Sequence, residues 1–278
     1  MTDTRSLDEE PPDPTPGSPW SDRGAGSRDD PGGGRDAAQS PRLTLGLSVI
    51  MAARDEEEGL ERALRRTLAA LERHTQTFEI IVVDDGSTDG TGEIAERLAA
   101  ELAPVRVVRN ERNLNYGRSL IRGIGAARCE WILHNGVDLP LDPDDLPLFA
   151  SALREADVVV VRRTDRSANS TWRTLTSGVN ALLLRVLFSP RARDLNFVQF
   201  YRRSYAQSVV PVSTGPASVT PELILRAERG GYRVREVEAV FRKRETGRAH
   251  FGRPKDILWT LRDMLQLRIR TWLRGWSD

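Results

Sequence analysis

A parallel, doubly wound α/β sheet is the fold class predicted for these 278 residues, and three observations predict it. Short β-branched runs such as Ile80 to Val83 are apolar at every position, as expected of strands covered on both faces. These runs alternate with amphipathic helical patterns in regular βαβ order, with no internal repeat. The run ending at Val83 stops abruptly in Asp84-Asp85-Gly-Ser-Thr-Asp-Gly90. Two carboxylates therefore stand at the carboxyl end of a strand, where open α/β sheets hold ligands. The same turn also reads as an ordinary loop in which an aspartate caps the next helix.

Taken in order, Leu45 to Met51 reads as a strand and Glu56 to Arg73 as a helix with Leu60, Leu64, Leu68 and Leu71 on one face. Glu79 to Val83 is the second strand, followed by a helix from Thr91 to Ala100. Val105 to Val108 is a third strand and Gly117 to Ala127 a helix carrying Leu120, Ile121 and Ile124. Trp131 to Leu133 is a fourth strand, Asp144 to Glu155 a helix, and Asp157 to Val161 a fifth strand. Beyond Arg162 the pattern changes. Val179, Leu182 and Val186 recur at helical spacing within Thr171 to Phe188. A strand over Asn196 to Tyr201, a helix over Pro221 to Arg229 and a strand over Arg233 to Phe241 follow. The last helix, Pro254 to Trp276, carries the stripe Leu258, Leu261, Leu265, Ile269, Trp272 and Trp276, with Arg262, Arg268, Arg270 and Arg274 around it. That is the composition of a helix lying in a membrane interface, or of a terminal helix packed on its own domain.

Residues 1–42 are rich in Pro, Gly, Asp and Ser and leave little to bury, so a disordered tail is expected there. They lack the apolar centre of a secretory signal, and no later stretch reaches a membrane span. Cys129 is the one cysteine, which excludes an intrachain disulfide and fits a reducing cytoplasm. The remainder is expected as one domain over 43–252 with an amphipathic helix over 253–278. The net charge of +1 conceals a division: residues 43–161 hold 13 basic and 21 acidic side chains, residues 162–278 hold 23 and 10. The second half should therefore meet something anionic. Nucleic acid is disfavoured, because the arginines lack the aromatic interleaving of a stacking platform.

No Gly-x-Gly-x-x-Gly follows a strand, no P-loop appears, no histidines have zinc spacing and no Gly-x-Ser-x-Gly elbow is present. Carboxylates at strand ends and an arginine-rich second half remain. Leu47-Ser-Val-Ile-Met-Ala-Ala-Arg-Asp-Glu-Glu57 followed by Ile81-Val-Val-Asp-Asp-Gly-Ser-Thr-Asp-Gly-Thr91 resembles the opening of family 2 glycosyltransferases. Asn113-Leu-Asn-Tyr-Gly-Arg-Ser119, the Asp138 loop and Phe241-Arg-Lys-Arg-Glu-Thr-Gly-Arg248 follow in the family's order. The last of these, with Asp194 before it, is most similar to polyprenyl-phosphate sugar transferases of the dolichyl-phosphate mannose synthase type.

This resemblance, spanning residues 45–265, implies a GT-A fold, a nucleotide sugar as donor and a polyprenyl phosphate as acceptor. Residues 43–161 would form the donor half and 162–252 the acceptor half. Ala53, Arg54, Asp55, Glu56, Asp84, Asp85 and Arg118 are the implied nucleotide-binding residues, the carboxylates serving as hydrogen-bond acceptors. Ala52 and Arg54 replace the family's usual proline and tyrosine, and Arg54 can substitute planar stacking. Asp138 and Asp194 are the implied catalytic acids. The family places Asp-x-Asp in the Asp138 loop to hold Mg²⁺ or Mn²⁺, but this chain reads Asn135-Gly-Val-Asp138. Either Asp138 holds a metal, with Asn135 or Asp142 helping, or arginines neutralise the diphosphate, or the chain binds without catalysing. Arg162, Arg163, Arg244 and Arg248 are the implied holders of the acceptor phosphate. A peripheral enzyme at the cytoplasmic membrane face, inverting at the anomeric carbon, is the expectation. A transferase with a soluble hydroxyl acceptor and a non-catalytic binder are the competing readings.

Overall fold

Seven strands build one sheet in the order β3-β2-β1-β4-β6-β5-β7. They are β1 (Leu47–Ala53), β2 (Phe78–Asp84), β3 (Val105–Arg109), β4 (Trp131–His134), β5 (Val158–Arg163), β6 (Gln199–Arg202) and β7 (Val234–Ala239). The computed structural model describes residues 42–164, 171–240 and 254–276. The predicted tail, up to residue 41, lies outside them, as do Arg244 and Arg248.

β1 runs parallel to β2 and to β4, β2 to β3, and β5 to β7. β6 is antiparallel to both β4 and β5, so the sheet is mostly parallel with one reversed strand. Strand direction leaves no mark in a four-residue apolar run, and only the pairing reveals it. Because β2 and β4 flank β1 on opposite sides, the strand order reverses there. The carboxyl ends of β1, β2 and β4 consequently open a crevice at a topological switch point.

Side chains alternate across the sheet. Val49, Met51, Ile80, Val82 and Leu133 face a core shared with α1 (Leu60–His74), α2 (Thr91–Glu101) and α4 (Ala150–Glu155). Ile50, Ile81, Val83 and Ile132 face the opposite core, shared with α3 (Tyr116–Ala126), α5 (Thr171–Phe188), α7 (Val219–Arg229) and α8 (Pro254–Arg274). Both faces of the central strands are covered, which is why β1, β2 and β4 carry no polar alternation, whereas β7 at one edge exposes Arg235, Glu236 and Glu238. A short helix α6 (Arg203–Ser208) follows β6 without a sequence signal of its own. The helix expected from Asp144 instead opens as a 3-10 segment, Pro143–Phe149, because Pro147 has no N–H to give an α-helical turn.

Two contacts fix how closely the layers approach. A Cβ on Gly123 of α3 would stand 2.5 Å from Ile50 Cγ2 and 3.2 Å from Val83 Cγ2, so only glycine lets α3 sit this near β1. On the same edge, the buried Glu79 accepts from Ser48 Oγ at 2.7 Å, Arg106 Nη1 at 2.7 Å and the Arg128 N–H at 2.6 Å. Burial alone would raise its carboxyl, but these hydrogen bonds outweigh burial and hold it below the ordinary 4.5.

Gly123→Leu should lose about 1–3 kcal/mol by urea denaturation, the usual cost of overpacking. A depressed carboxyl stabilises the fold above its unfolded pKa, and this is lost as pH falls through the folded value. Glu79→Gln is therefore expected to cost about 1–3 kcal/mol at pH 7 and to flatten the stability curve below about pH 4.5, read by denaturation across pH.

Candidate active site

The crevice lies among the loops that leave β1, β2 and β3, and the loop after β4 stands at the same end of the sheet. Ala53 pairs in register with Asp84, and the Asp85 N–H donates to the Ala53 carbonyl at 2.9 Å, so the two loops emerge side by side. They are then stitched together. The Asp55 N–H donates to Ser87 Oγ (3.1 Å), and Asp55 Oδ1 accepts from the Thr88 N–H (2.8 Å) and hydroxyl (3.2 Å). The Glu56 N–H donates to Thr91 Oγ1 at 2.8 Å, while Glu57 accepts from the Gly90 N–H at 2.8 Å. Asp55 holds a left-handed φ of 51° within this contact. Arg54 Nη1 donates to the Asp85 carbonyl at 3.4 Å.

The adjacent aspartates have different duties. Asp85 is buried and accepts from Asn110 Nδ2 (2.9 Å), the Leu114 N–H (2.8 Å) and the Asn115 N–H (3.0 Å), which organises the loop from β3 to α3. Both of its oxygens are engaged in this. Asp84 is fully buried, accepts from the Ser87 N–H at 3.0 Å, and has Arg109 Nε 3.3 Å from its second oxygen. That second oxygen completes no well-aligned hydrogen bond. Between them Gly86 adopts a φ of 64° and passes so close to Arg112 that a Cβ would stand 2.4 Å from its carbonyl carbon. The result is a cavity of about 620 Å³ lined by Arg54, Gly86, Ser87, Arg109, Arg112 and Asn113. Arginine and asparagine side chains and the acid Glu111 line its walls, and the Asp84 carboxylate is buried behind Arg109.

The loop after β4 turns tightly, with the Leu139 N–H donating to the Gly136 carbonyl at 2.9 Å and Leu139 at a φ of 45°. Asn135 clamps it: Nδ2 donates to the Leu141 carbonyl (2.8 Å) and Oδ1 accepts from the Leu141 N–H (3.3 Å). Asp142 is buried, accepts from Arg66 Nη2 at 3.0 Å through both oxygens, and caps the 3-10 segment at the Asp144 N–H. Exposed Asp138 folds back so that its Oδ1 lies 2.5 Å from where a Cβ on Gly136 would stand. Glycine at 136 thus makes room for the Asp138 carboxylate. Asn135 and Asp142 are spent on the fold, and no group of three Asp, Glu, His or Cys able to hold a metal occurs among the described residues. This donor set does not fit a metal site built by the protein alone.

Beneath the loop runs a polar chain that the sequence did not announce. Tyr116 Oη meets His134 Nδ1 at 2.9 Å, and His134 Nε2 meets Gln199 Oε1. Burial lowers the imidazole to about 4, so it stays neutral. Burial, and then the nearby Asp138 charge, raise the Tyr116 phenol and keep it protonated.

At the end of β5, Arg163 is held by Asp194 in a two-point pair (2.7 and 2.9 Å) and stacks over Phe197 at 5.1 Å. Arg162 pairs with Glu238 on the neighbouring strand. Arg118 lies exposed in the first turn of α3, its N–H capped by Asn115 Oδ1 at 3.3 Å. Of the residues named from the sequence, Arg54 lines the cavity, Asp55 and Glu56 pin its loops, Asp84 and Asp85 are buried behind them and Arg118 is exposed on α3, whereas Arg162 and Arg163 are tied to local acids. Arg109, Tyr116, His134 and Gln199 join the site through pairing and packing alone. The only sequence signal for any of them was Tyr116 within the Asn113–Ser119 segment.

Removing Asp85 leaves the Leu114 N–H unpaired, while Asn110 Nδ2 keeps Ser119 Oγ and the Asn115 N–H keeps Asn113 Oδ1, so Asp85→Ala should cost about 1–3 kcal/mol by chemical denaturation. A histidine held neutral by the fold costs stability as pH falls. Between about pH 6.5 and 4 the loss should approach about 1.4 kcal/mol per pH unit, and His134→Gln should remove that slope.

Comparison with known proteins agrees with this architecture. Undecaprenyl-phosphate 4-deoxy-4-formamido-L-arabinose transferase of Photorhabdus laumondii is 30% identical over 167 residues, covering 59% of this chain and 51% of that protein. Glycosyltransferase AglD of Haloferax volcanii is 29% identical over 205 residues, covering 68% of this chain and 32% of its own. The chain therefore spans about half the length of the first relative, and less of the second. Mannosyl-3-phosphoglycerate synthase from Rubrobacter xylanophilus superposes with a TM-score of 0.63 at 18% identity, over 83% of this chain and 75% of that one. Glucosyl-3-phosphoglycerate synthase from Mycobacterium tuberculosis, solved with Mn²⁺, uridine diphosphate and product, gives a TM-score of 0.57 at 22% identity, over 81% and 80%. The fold is GT-A. Residues 48–218, more than half of the sequence, match the description Glycosyl transferase family 2, and the chain belongs to that family.

Proposed function

We propose that this chain transfers a sugar from a nucleoside diphosphate donor to a polyprenyl-phosphate-type lipid at a membrane surface, inverting the anomeric carbon. The observation that carries the reading is the pinned pair of loops after β1 and β2, which frames a cavity lined by Arg54 and Arg109 in a family 2 chain. Arg54 and Arg109 line this cavity and offer flat donor faces to the nucleoside, with Asp84 buried behind Arg109 and holding that guanidinium in place. The named relatives include transferases to undecaprenyl phosphate, which supports the lipid acceptor.

The chemistry of the acceptor half points the same way. A sugar or protein hydroxyl needs a base, yet Asp194 is committed to Arg163. A lipid phosphate is already an anionic nucleophile and needs only to be oriented. One of its oxygens attacks the anomeric carbon opposite the departing diphosphate, so an α-linked donor gives a β-linked product. Arg162 and Arg163 at the end of β5, with Arg244 and Arg248, are the positions proposed to orient it. Among the described residues no helix is long and apolar enough to cross a membrane. The lipid is met instead by apolar residues that α5 and α8 expose, Val179, Leu182, Leu258, Leu265 and Trp272 among them. The inner, cytoplasmic face is proposed as the site of action.

Screening nucleotide sugars by thermal shift tests the donor reading. A donor at about 100 times its Kd should add about 2.7 kcal/mol, and Asp84→Ala should abolish that gain. Mn²⁺ alone should leave the midpoint unchanged, and any gain it gives with donor should vanish in Asp138→Ala. Transfer to undecaprenyl phosphate, followed by the linkage of the product, checks acceptor and inversion. Activity with soluble hydroxyl acceptors alone would replace this reading.

A further inference from the structure

The helix α8 has two unlike sides. Its inner side holds Thr260, Asp263, Met264, Leu267 and Thr271 against the domain, with Asp263 only 2% exposed. Its outer side leaves Leu258 70% and Trp272 78% exposed, with Leu265 and Ile269 between them on the same stripe. Arg262, Arg268 and Arg274 are exposed around that stripe, whereas the one carboxylate between residues 257 and 276, Asp263, is turned inward. An apolar stripe bordered by cations and free of exposed acids matches an anionic lipid surface, where guanidinium meets headgroups and Leu and Trp enter the acyl boundary.

The inner side leads to the active site. Asp263 Oδ2 accepts from the Thr214 N–H (2.9 Å), the Gly215 N–H (2.6 Å) and Ser218 Oγ (2.7 Å). Glu222 of α7 takes the preceding N–H groups, of Val212 at 2.9 Å and Ser213 at 2.7 Å. Two buried carboxylates thus hold one loop, one from α7 and one from α8. The opposite side of that loop bears on the start of α3. A Cβ on Gly117 would stand 2.5 Å from the Gly215 carbonyl oxygen and 2.7 Å from that of Thr214. The residues just before Gly117 are Asn115, whose N–H is bound by Asp85, and Tyr116, which meets His134 beneath the Asp138 loop. On either side of this junction, Ser213 Oγ and Asn115 Nδ2 are buried without a hydrogen-bond partner, so the contact has polar groups still to satisfy.

We propose that α8 docks by its outer stripe on an anionic membrane surface, and that Asp263 passes this docking to the active site by fixing Thr214–Ser218 against the first turn of α3. Asp263 is a positioning residue in this scheme and touches no substrate. The inference rests on the membrane reading given above and adds the route by which the membrane acts on the site.

Co-sedimentation with vesicles of phosphatidylcholine and phosphatidylglycerol, with phosphatidylcholine alone as control, tests the surface. Hydrogen exchange on the same samples tests the route. The full chain should bind the anionic vesicles only, and binding should slow exchange at least about tenfold in peptides covering 212–219 and 114–120. Leu265→Glu should lose binding and slowing together while its circular dichroism and donor-induced thermal shift are kept. Asp263→Ala should still bind vesicles yet show no slowing. Asp263→Asn, whose amide oxygen still accepts, should keep most of it and carries the test if the alanine variant fails to fold.

Vesicle-bound Asp263→Ala slowing like the parent chain would overturn the route and leave the surface standing. A parent chain that ignores anionic vesicles, or that buries the stripe in a dimer by light scattering, would overturn both. The donor-induced shift reads the sugar-transfer proposal separately in every case.

Discussion

Buried carboxylates paired with backbone N–H groups are the interaction on which the working end of this protein depends. A sheet whose strands are apolar on both faces offers its loops nothing polar to lean on. Each loop is instead fixed by an acid driven into the fold. Asp85 holds the β3–α3 loop, Asp142 caps the segment after β4, and Glu222 and Asp263 share the loop before α7. A buried carboxylate without donors costs several kcal/mol, whereas each charge-assisted hydrogen bond returns about 1.5–3 kcal/mol. Loop and acid are therefore stable only together. Neither can relax alone, and the loops have defined shapes although they carry few apolar residues.

The same economy explains the division between Asp84 and Asp85. Both are buried at the end of β2, but Asp85 is saturated by the loop it organises. Asp84 keeps one oxygen beside Arg109, which itself lines the cavity. Asp84 thus helps to place a cavity-lining guanidinium, while Asp85 shapes the loop that follows. The Asn135–Asp138 turn shows the converse. Its side chains are consumed by closing the turn and by Arg66, so this loop is a structural device with one exposed carboxylate.

Charge segregation also takes its meaning from the fold. The acidic first half turns part of its charge onto its own loops and onto arginines such as Arg66 and Arg106, while Glu58, Glu72, Glu93, Glu96 and Glu111 stay exposed. In the second half, Arg162, Arg163 and Arg226 are likewise neutralised by Glu238, Asp194 and Glu222. Arg262, Arg268 and Arg274 face solvent around the outer stripe of α8, as Arg185 does beside Leu182 and Val186 on α5. Among the described residues, part of the basic excess is thus neutralised within the fold and part stands beside exposed apolar side chains.

Much of the fold was legible in the residues. Every strand and nearly every helix left its period in the hydropathy pattern, since burial on both faces or on one stripe dictates which side chains are tolerated. The carboxylates at the end of β2 were legible for the same local reason: a polar turn must follow an apolar strand. Direction and neighbourhood were not. Nothing in Gln199 to Arg202 states that β6 runs antiparallel. Nothing in the spacing of Tyr116, His134 and Gln199 states that they touch, nor that Asp263 reaches Thr214 across 49 residues. Local sequence determined which segments are strand, helix or turn, because that choice is made by each segment's own periodicity. Tertiary structure decided which acids hold loops and which are left for ligands, because a carboxylate's role is set by the donors that packing brings within about 3 Å of it.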